Sequence, residues 1–192
     1  TALRTGKEVV FDQEGADTEL DRGIAEAVSD PLVHILRNAV DHGIEDASAR
    51  VAAGKTPAGR VRLAARYQGG AIVISVSDDG GGLDRARILR HARSKGVIQD
   101  GRDLSDREVF KLIFAPGFST VERVTDVSGR GVGLDVVQRN MEAIRGKIEI
   151  DSVPGLGTTF HLYCPLTLAV IDGLVVRVAD QRQVPELLVD GQ

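Results

Sequence analysis

The spacing of apolar residues changes period several times along the chain, and each change predicts a new element. A helical stripe with spacings of three and four is formed by Leu32, Ile35, Leu36, Ala39 and Val40. Asp30 and Pro31 precede this stripe in the order expected for an N-cap and a first-turn proline. We therefore predict a helix that begins at this pair and ends at Gly43.

From residue 61 the apolar residues alternate with polar ones, which predicts a strand, and Gly69-Gly70 predicts a tight hairpin before a central strand over 71–77. Further strands are predicted at 8–11, 147–151 and 159–163, and further helical runs at 45–53, 84–95, 105–113 and 133–144. Because the strands cluster in hairpins with helices between them, we predict an α+β fold. Its architecture would be a two-layer sandwich with a mixed, mostly antiparallel sheet and helices on one face.

Composition narrows the function classes. The 192 residues carry 24 basic and 28 acidic side chains, with a net charge of -4 and no long basic run, so nucleic acid is not an expected partner. Cys164 is the only cysteine, which excludes an intramolecular disulfide and fits a reducing cytoplasm. No run is long and apolar enough for a membrane span, and no signal-peptide pattern is present. We expect a soluble, cytoplasmic domain.

Polar side chains gather beside the apolar stripe of the first long helix. The group consists of His34, Arg37, Asn38, Asp41 and His42. One histidine or asparagine in such a helix is usually a surface or capping residue, but several on one side indicate a site. The amide oxygen of Asn38 is a hard, neutral ligand of the kind that Mg²⁺ accepts.

Two glycine-rich segments follow predicted strand and loop ends. Asp78 leads the sequence DDGGGL, where a carboxylate backed by glycines can accept a hydrogen bond from an adenine amino group. A glycine-rich turn with Asx capping explains the same residues about as well. The segment 128–134, SGRGVGL, opens a helix and can present backbone N–H groups to phosphate. The hairpin turn at 155–159 is weaker evidence for a ligand contact.

A second phosphate-binding motif is excluded. Residues 53–56, AGKT, resemble the end of a P-loop, but Ala49 stands where the first glycine should be and a helix precedes the segment. The dinucleotide fingerprint and the motif set of serine/threonine kinases are also missing from the sequence. The P-loop interpretation of this segment is therefore rejected.

Taken in order, five motifs resemble the N, G1, F, G2 and G3 boxes of histidine kinases. They are Asn38, DDGGGL at 78–83, FAPGFST at 114–120, GRGVGL at 129–134 and GTTF at 157–160. The wider resemblance is to the ATPases of gyrase, Hsp90 and MutL, and it covers about residues 30–165. The phrases HILRNAVDHGIE and LIFAPGFST resemble the CheA family of chemotaxis kinases. This resemblance implies the Bergerat, or GHKL, ATP-binding fold.

The resemblance also implies roles for individual residues. Asp78 would recognise adenine, Asn38 would bind Mg²⁺, and His34 and Arg37 would join Asn38 as catalytic residues. His34 stands where the related ATPases have a glutamate that activates water, and Arg87 where a lysine is expected. The implied ATP-binding set is Asp41, His42, Asp78, Gly80, Gly82, Leu83, Arg87, Ser128, Gly129, Arg130, Gly131, Val132, Gly133, Leu134 and Thr158. Residues 114–130 are expected to form a lid with few core residues.

The positions of the four histidines indicate where the phosphoryl acceptor should lie. His34 and His42 belong to the N box, and we expect His91 and His161 to be ordinary surface or sheet residues, so the acceptor histidine should lie on a separate phosphotransfer domain. The resemblance further implies the adaptor CheW, chemoreceptors, a response regulator and a homodimeric full-length protein, with this fragment a monomer. It divides the chain into a catalytic domain at 1–165, whose residues 1–7 leave a dimerisation region, and the start of a CheW-like domain at 166–192. An ATPase or a non-catalytic nucleotide-binding module remains the alternative.

Overall fold

The structure, a computed structural model, describes residues 6–98, 103–116, 118, 133–166, 176–178 and 181–183. The helices are α1 (Arg22–Asn38), α2 (Ala47–Ala52), α3 (Arg85–Ser94), α4 (Asp106–Lys111) and α5 (Leu134–Ala143), with a π-helical turn at Ala39–Gly43 and a 3-10 turn at Leu112–Phe114. The strands are β1 (Val9–Glu14), β2 (Gly59–Gln68), β3 (Ala71–Asp78), β4 (Lys147–Val153), β5 (Gly157–Pro165), β6 (Val176–Val178) and β7 (Gln181–Gln183).

Five strands form one mixed sheet in the order β1-β2-β3-β5-β4. β1 lies parallel to β2, and the other three pairs are antiparallel. Gly69 and Gly70 connect β2 to β3 with φ values of 59° and 76°, the left-handed conformation that a two-residue hairpin loop requires. The predicted α+β sandwich is confirmed, with β3 in the centre of the sheet.

One face of the sheet carries the hydrophobic core. Buried side chains on that face alternate along the strands and meet buried residues of α1 and α5. The sheet contributes Val61, Ile72, Ile74, Val76, Ile150, Phe160, Leu162 and Cys164, and the two helices contribute Ile24, Val28, Ile35, Val137 and Met141. Because the core needs only every second strand residue, the opposite face can be polar.

Helix α1 begins earlier than the sequence pattern predicted. Its N-cap is Asp21, whose carboxylate accepts hydrogen bonds from the backbone N–H groups of Gly23 and Ile24 at 2.8 and 3.3 Å. The prediction that the helix starts at Asp30 and Pro31 is wrong, because Pro31 lies buried inside the helix. Ile24 and Val28 extend the buried stripe by two turns, and this burial outweighs the one backbone hydrogen bond that proline removes.

A π-helical turn ends α1. The N–H of Ile44 donates to the carbonyl of Ala39 at 2.8 Å, five residues back. The extra residue in this turn rotates the positions that follow Asn38, and such turns are frequent at functional sites. The turn also contacts β3 and β5, which brings the end of the predicted N box against the sheet.

The outer face of the sheet forms a polar network around His161. Its Nδ1 lies 2.9 Å from the hydroxyl of Ser75, and its Nε2 lies 3.2 Å from the carboxylate of Asp151. The prediction that His161 is an ordinary sheet residue agrees with this placement, on the side away from the helices. In the core of the same sheet, burial raises the pKa of the Cys164 thiol to about 11.

The last two described strands, β6 and β7, pair antiparallel with each other. Of the helices that the described ranges contain, none has the length and apolarity required to cross a bilayer.

Candidate nucleotide-binding site

Asp78 ends the central strand and lies directly opposite Thr158 of β5 in the strand register. Its carboxylate accepts a hydrogen bond from the backbone N–H of Gly80 at 3.0 Å, and the nearby backbone N–H of Thr158 opposes the rise in its pKa. Burial is the largest influence on this group and raises its pKa to about 6. The sequence-predicted G1 and G3 residues therefore meet at the end of the sheet, around a carboxylate that is largely buried.

The neighbouring carboxylate has a different environment. Asp79 accepts one hydrogen bond from the Arg50 guanidinium at 2.8 Å and another from the backbone N–H of Arg60 at 2.8 Å. Both contacts are internal to the protein and occupy the two oxygens of Asp79. The structure thus distinguishes the two adjacent aspartates, because the described hydrogen bond to the Asp78 carboxylate comes from the backbone of the glycine-rich loop.

Glycine is required at two positions of the G1 segment. A Cβ on Gly80 would lie 2.0 Å from the carbonyl oxygen of Gly43, and a Cβ on Gly82 would lie 2.5 Å from that of Val153. Gly82 also has a φ of 73°. These positions let the loop approach the π-helical turn on one side and the β4–β5 turn on the other.

Backbone hydrogen bonds join the G1 loop to the same two neighbours, the π-helical turn and the β4–β5 turn. The N–H of Gly81 donates to the carbonyl of Gly43 at 3.0 Å, and the N–H of Gly155 donates to that of Gly81 at 2.8 Å. The backbone of Gly81 therefore bridges both neighbouring segments. The N-box, G1 and G3 segments form one connected backbone unit.

Ser152 supports this unit and was not identified from the sequence. Its hydroxyl accepts a hydrogen bond from the backbone N–H of Leu83 at 2.8 Å and lies 3.1 Å from the hydroxyl of Thr158. The side chain of Thr158 is buried, with 6% of the residue exposed, while Leu83 packs against the hydrophobic core. A lone serine in an alternating strand carries no sequence signal for such a role.

The N-box residues lie where α1 passes the start of α5. Burial and the positive charge of Arg37 lower the pKa of His34 below 6.5, against an opposing influence of the Asp135 carboxylate on α5. Asn38 is half-buried and Arg37 and His42 are exposed. Within the described ranges, no side-chain hydrogen bond is formed by His34, Asn38 or His42, so their polar atoms are open to a ligand.

The π-helical turn contains one orphaned acceptor. The Oδ1 atom of Asp41 is buried and has no hydrogen-bond partner among the described residues. The carbonyls of this turn are better satisfied, because the ammonium of Lys7 donates to those of Val40, Asp41 and Ile44 at 3.1, 2.9 and 2.8 Å. Lys7 therefore caps the helix end that carries the N box, a contact over more than 30 residues that the sequence did not reveal.

The remaining predicted site residues fall into three groups. Gly133 is the N-cap of α5 and Leu134 its first residue, as the phosphate-cradle prediction requires. Arg87 is exposed on the first turn of α3, and its backbone N–H donates to the Asp84 carboxylate. Five predicted residues lie outside the described ranges: Ser128, Gly129, Arg130, Gly131 and Val132.

The F box begins inside the core. Phe114 and Phe118 are both buried, and Phe114 makes an edge-to-face contact with Phe160 at 6.5 Å. His91 contacts Phe118 twice, through a ring contact at 4.8 Å and through its Nε2, 2.9 Å from the Phe118 carbonyl. The prediction of a lid with few core residues is therefore wrong at Phe114 and Phe118, and residues 117 and 119–130 of that lid lie outside the described residues. His91 is more than a surface residue, because it holds the F box.

Residues 27–168 match the family model described as Histidine kinase-, DNA gyrase B-, and HSP90-like ATPase. The chain belongs to this family. The matched range spans every motif from the N box to the G3 box, and therefore includes Asp78 and the residues around it.

Curated relatives of the chain are chemotaxis proteins. It is 52% identical over 180 residues to the chemotaxis protein CheA of Salmonella typhimurium, which covers 94% of this chain and 27% of the relative. It is 49% identical over 183 residues to CheA of Rhizobium meliloti, covering 95% of the chain and 24% of the relative. The sensor histidine kinase CheAY of Helicobacter pylori is 51% identical over 178 residues, with coverages of 92% and 22%. The chain spans about a quarter of the length of these relatives.

A solved structure confirms the fold independently of the sequence. The histidine kinase domain of the Erythrobacter litoralis EL346 blue-light activated histidine kinase superposes with a TM-score of 0.51 at 14% identity, over 86% of this chain and 59% of that one. At this identity the likeness concerns the fold alone. It agrees with the predicted GHKL architecture.

The residues present fit Mg-ATP. Gly43 and Gly80 keep side chains away from the Asp78 carboxylate, since a Cβ there would lie 3.1 and 2.8 Å from its Oδ1 atom, and Asn38 is half-buried with no side-chain hydrogen bond to the described residues. Among the residues that the structure describes, no three or more histidine, cysteine or acidic side chains converge as a metal cluster. A Mg²⁺ ion bound with ATP needs only one or two protein oxygens, since phosphate and water complete its octahedron.

Proposed function

We propose that this chain binds Mg-ATP and transfers the γ-phosphoryl group to a histidine on a separate phosphotransfer domain, as the ATP-binding part of a chemotaxis-type protein-histidine kinase. The observation that carries the proposal is the buried carboxylate of Asp78 in its glycine cradle, joined through backbone hydrogen bonds to the N-box turn. The similarity to CheA proteins supplies the signalling context.

Base recognition would use Asp78. Its ionised carboxylate accepts a hydrogen bond from the exocyclic amino group of adenine, in a setting where burial makes such a bond stronger than in water. Gly80 and Gly82 would shape the base pocket by letting the G1 loop pack directly on the backbone of Gly43 and Val153. A guanine presents a carbonyl at the same place, and two acceptors would then face each other, so the site would select adenine.

Phosphate binding would use the end of α1 and the start of α5. Asn38 would hold Mg²⁺, which neutralises charge on the phosphates and so favours phosphoryl transfer. Arg37 and His42 are exposed beside it and would contact phosphate oxygens. Gly133 places the N-terminus of α5 nearby, with its backbone N–H groups and positive dipole end. The contribution of these groups would be positioning and charge neutralisation.

His34 would favour transfer over hydrolysis. Its lowered pKa keeps the imidazole neutral at pH 7, so it can orient the nitrogen nucleophile of an incoming histidine without adding positive charge. A carboxylate at this position would activate water instead. The alternative of a GHKL ATPase is therefore disfavoured by the residue type at position 34.

The acceptor histidine would lie outside this chain. His91 is engaged with the F box and His161 with the outer face of the sheet, while His34 and His42 belong to the N box. The proposed partners are accordingly a phosphotransfer domain in trans, the adaptor CheW, chemoreceptors and a response regulator, with a homodimeric, cytoplasmic full-length protein. We also propose that residues 1–165 are the catalytic domain and that 166–192, with the β6–β7 pair, begin a CheW-like domain.

One experiment tests the proposal. The chain is incubated with Mg²⁺ and γ-labelled ATP, with and without a separately supplied phosphotransfer domain. Acid-labile, base-stable label on that domain is the expected result. Release of inorganic phosphate without transfer would support an ATPase, and nucleotide binding without either reaction would support a non-catalytic module. Both of those outcomes contradict the kinase proposal.

A further inference from the structure

The lysine of the AGKT segment at 53–56, Lys55, contacts the protein itself, whereas a P-loop lysine contacts phosphate. The ammonium of Lys55 donates to the carbonyl oxygens of Asp79 and Gly80 at 2.9 and 2.7 Å and to the Glu45 carboxylate at 2.7 Å. Its side chain is 17% exposed. All three ammonium donors are therefore committed to the protein, and two of them hold the backbone of the G1 loop.

The orientation of those carbonyls decides what the loop presents to a ligand. In a trans peptide the carbonyl of one residue and the N–H of the next point in opposite directions. Fixing the Asp79 carbonyl therefore fixes the N–H of Gly80, which donates to the Asp78 carboxylate at 3.0 Å. Fixing the Gly80 carbonyl likewise fixes the N–H of Gly81, which donates to the Gly43 carbonyl at 3.0 Å.

Arg50 is a second cation that holds the Asp79 end of the G1 loop. It is 1% exposed, and its guanidinium donates to the carbonyl and the carboxylate of Asp79 at 3.2 and 2.8 Å. The same group donates to the Thr56 carbonyl at 2.8 Å and the Glu45 carboxylate at 3.1 Å. Glu45 thus bridges both cations, which satisfies a buried charge that would otherwise be costly.

We infer that Lys55, anchored by Glu45 and Arg50, is a positioning residue for adenine recognition: it sets the two peptide planes that aim the Asp78 carboxylate at the base. This inference rests on the proposed function, because it requires that Asp78 binds adenine. Lys55 touches neither base nor phosphate in this role. It acts through the G1 backbone, and removing its ammonium takes a donor from the Gly80 carbonyl and leaves the Asp79 carbonyl with the weaker Arg50 contact at 3.2 Å.

The test compares Lys55→Met, Lys55→Arg and the control Lys95→Met, which alters an exposed lysine at the end of α3. Binding of ATP and of inosine triphosphate, which lacks the 6-amino group, is measured by calorimetry, and phosphoryl transfer is measured at saturating ATP. Lys55→Met should weaken ATP binding about tenfold and inosine triphosphate binding much less, so that base discrimination falls. Transfer at saturation should stay within about twofold, Lys55→Arg should regain part of the discrimination, and Lys95→Met should match the wild type.

Unchanged discrimination in a folded Lys55→Met variant overturns the inference, as does a loss confined to the saturated transfer rate. If Lys55→Met does not fold, Glu45→Gln removes the charge that anchors the ammonium, and an unchanged ratio of ATP to inosine triphosphate affinity in that variant has the same meaning. A wild type that binds both nucleotides equally rejects the adenine assignment of Asp78 itself, and the inference with it. Failure of the inference alone shows as a wild type that discriminates and variants that discriminate equally well.

Discussion

The base side and the phosphate side of the candidate site are built differently. On the base side, Asp78, Asp79 and the loop carbonyls already have partners within the protein. On the phosphate side, His34 and Asn38 form no side-chain hydrogen bonds within the described residues. One half of the site is held in place by the fold, and the other half keeps its polar atoms for a ligand.

This difference separates two kinds of substitution. Changes to the base side should alter nucleotide affinity and the free energy of unfolding together, because the same hydrogen bonds position the proposed adenine contact and stabilise the fold. Changes to the phosphate side should alter turnover while leaving the apo protein as stable as before. Each prediction below tests that separation.

The largest effect is expected at Asn38. Asn38→Asp should reduce phosphoryl transfer at least about 100-fold, because a carboxylate at this position would offset part of the positive charge that the proposed Mg²⁺ supplies to the phosphates. The measurement is initial transfer rate to a separate phosphotransfer domain at saturating Mg-ATP.

Asn38→Ala serves as the matched variant, since it removes the amide without adding charge. Both variants should unfold within about 0.5 kcal/mol of the wild type in urea, the range typical of substitutions outside structural contacts. A large loss of stability in Asn38→Ala would show that this side chain is structural and would break the comparison.

A somewhat smaller effect is expected for Asp78, the proposed adenine contact. Asp78→Asn should weaken ATP binding about 10- to 100-fold, the value of one buried hydrogen bond to a charged acceptor at roughly 1.5–3 kcal/mol. Calorimetry in the absence of the phosphotransfer domain gives the affinity directly. ATP binding as tight as that of the wild type would exclude Asp78 as the adenine contact.

The pH dependence of ATP binding should follow the same carboxylate. Burial raises the pKa of Asp78 to about 6, so the group loses its charge as the pH falls through that value. From pH 7 to pH 5.5 the ionised fraction falls from about nine tenths to about one quarter, which predicts a three- to fourfold loss of affinity. Asp78→Asn supplies the baseline, because protonation of ATP affects both proteins. Parallel pH profiles for the two proteins would contradict the assignment.

The smallest effect on binding is expected for Lys7→Met. Loss of the three carbonyl contacts should lower the free energy of unfolding by about 1–2 kcal/mol, measured in urea. ATP affinity should change by less than about threefold, since Lys7 supports the π-helical turn and not the adenine loop. A greater loss of ATP affinity for Lys7→Met than for Lys55→Met would reverse the roles given to the two lysines.

The sequence was sufficient for the features that depend on local pattern. Alternation in β2 and β3, the Gly69-Gly70 hairpin and the motif order predicted the sheet and the family. The start of α1 was missed because Asp30 and Pro31 satisfy a local rule for a helix start, whereas the true start depends on tertiary burial of Ile24 and Val28.

The supports of the site were harder to predict for a related reason. Lys55 was recognised as a false P-loop lysine, but its actual contacts join residues 24 and 25 positions apart. Ser152 reaches Leu83 over 69 positions. Such contacts leave no period or spacing in the sequence, so only the folded arrangement reveals them.

The single thiol of the chain has a practical consequence for following nucleotide binding by fluorescence. Cys164 is fully buried in β5 and its raised pKa, about 11, leaves almost no thiolate at neutral pH. The natural chain is therefore a nearly silent background for maleimide chemistry. A cysteine introduced at Leu156, which is 73% exposed in the turn two residues before Thr158, would carry a fluorophore close to the G1 loop, because the neighbouring Gly155 donates a hydrogen bond to Gly81. Nucleotide arrival could then be observed in real time without first removing a native residue.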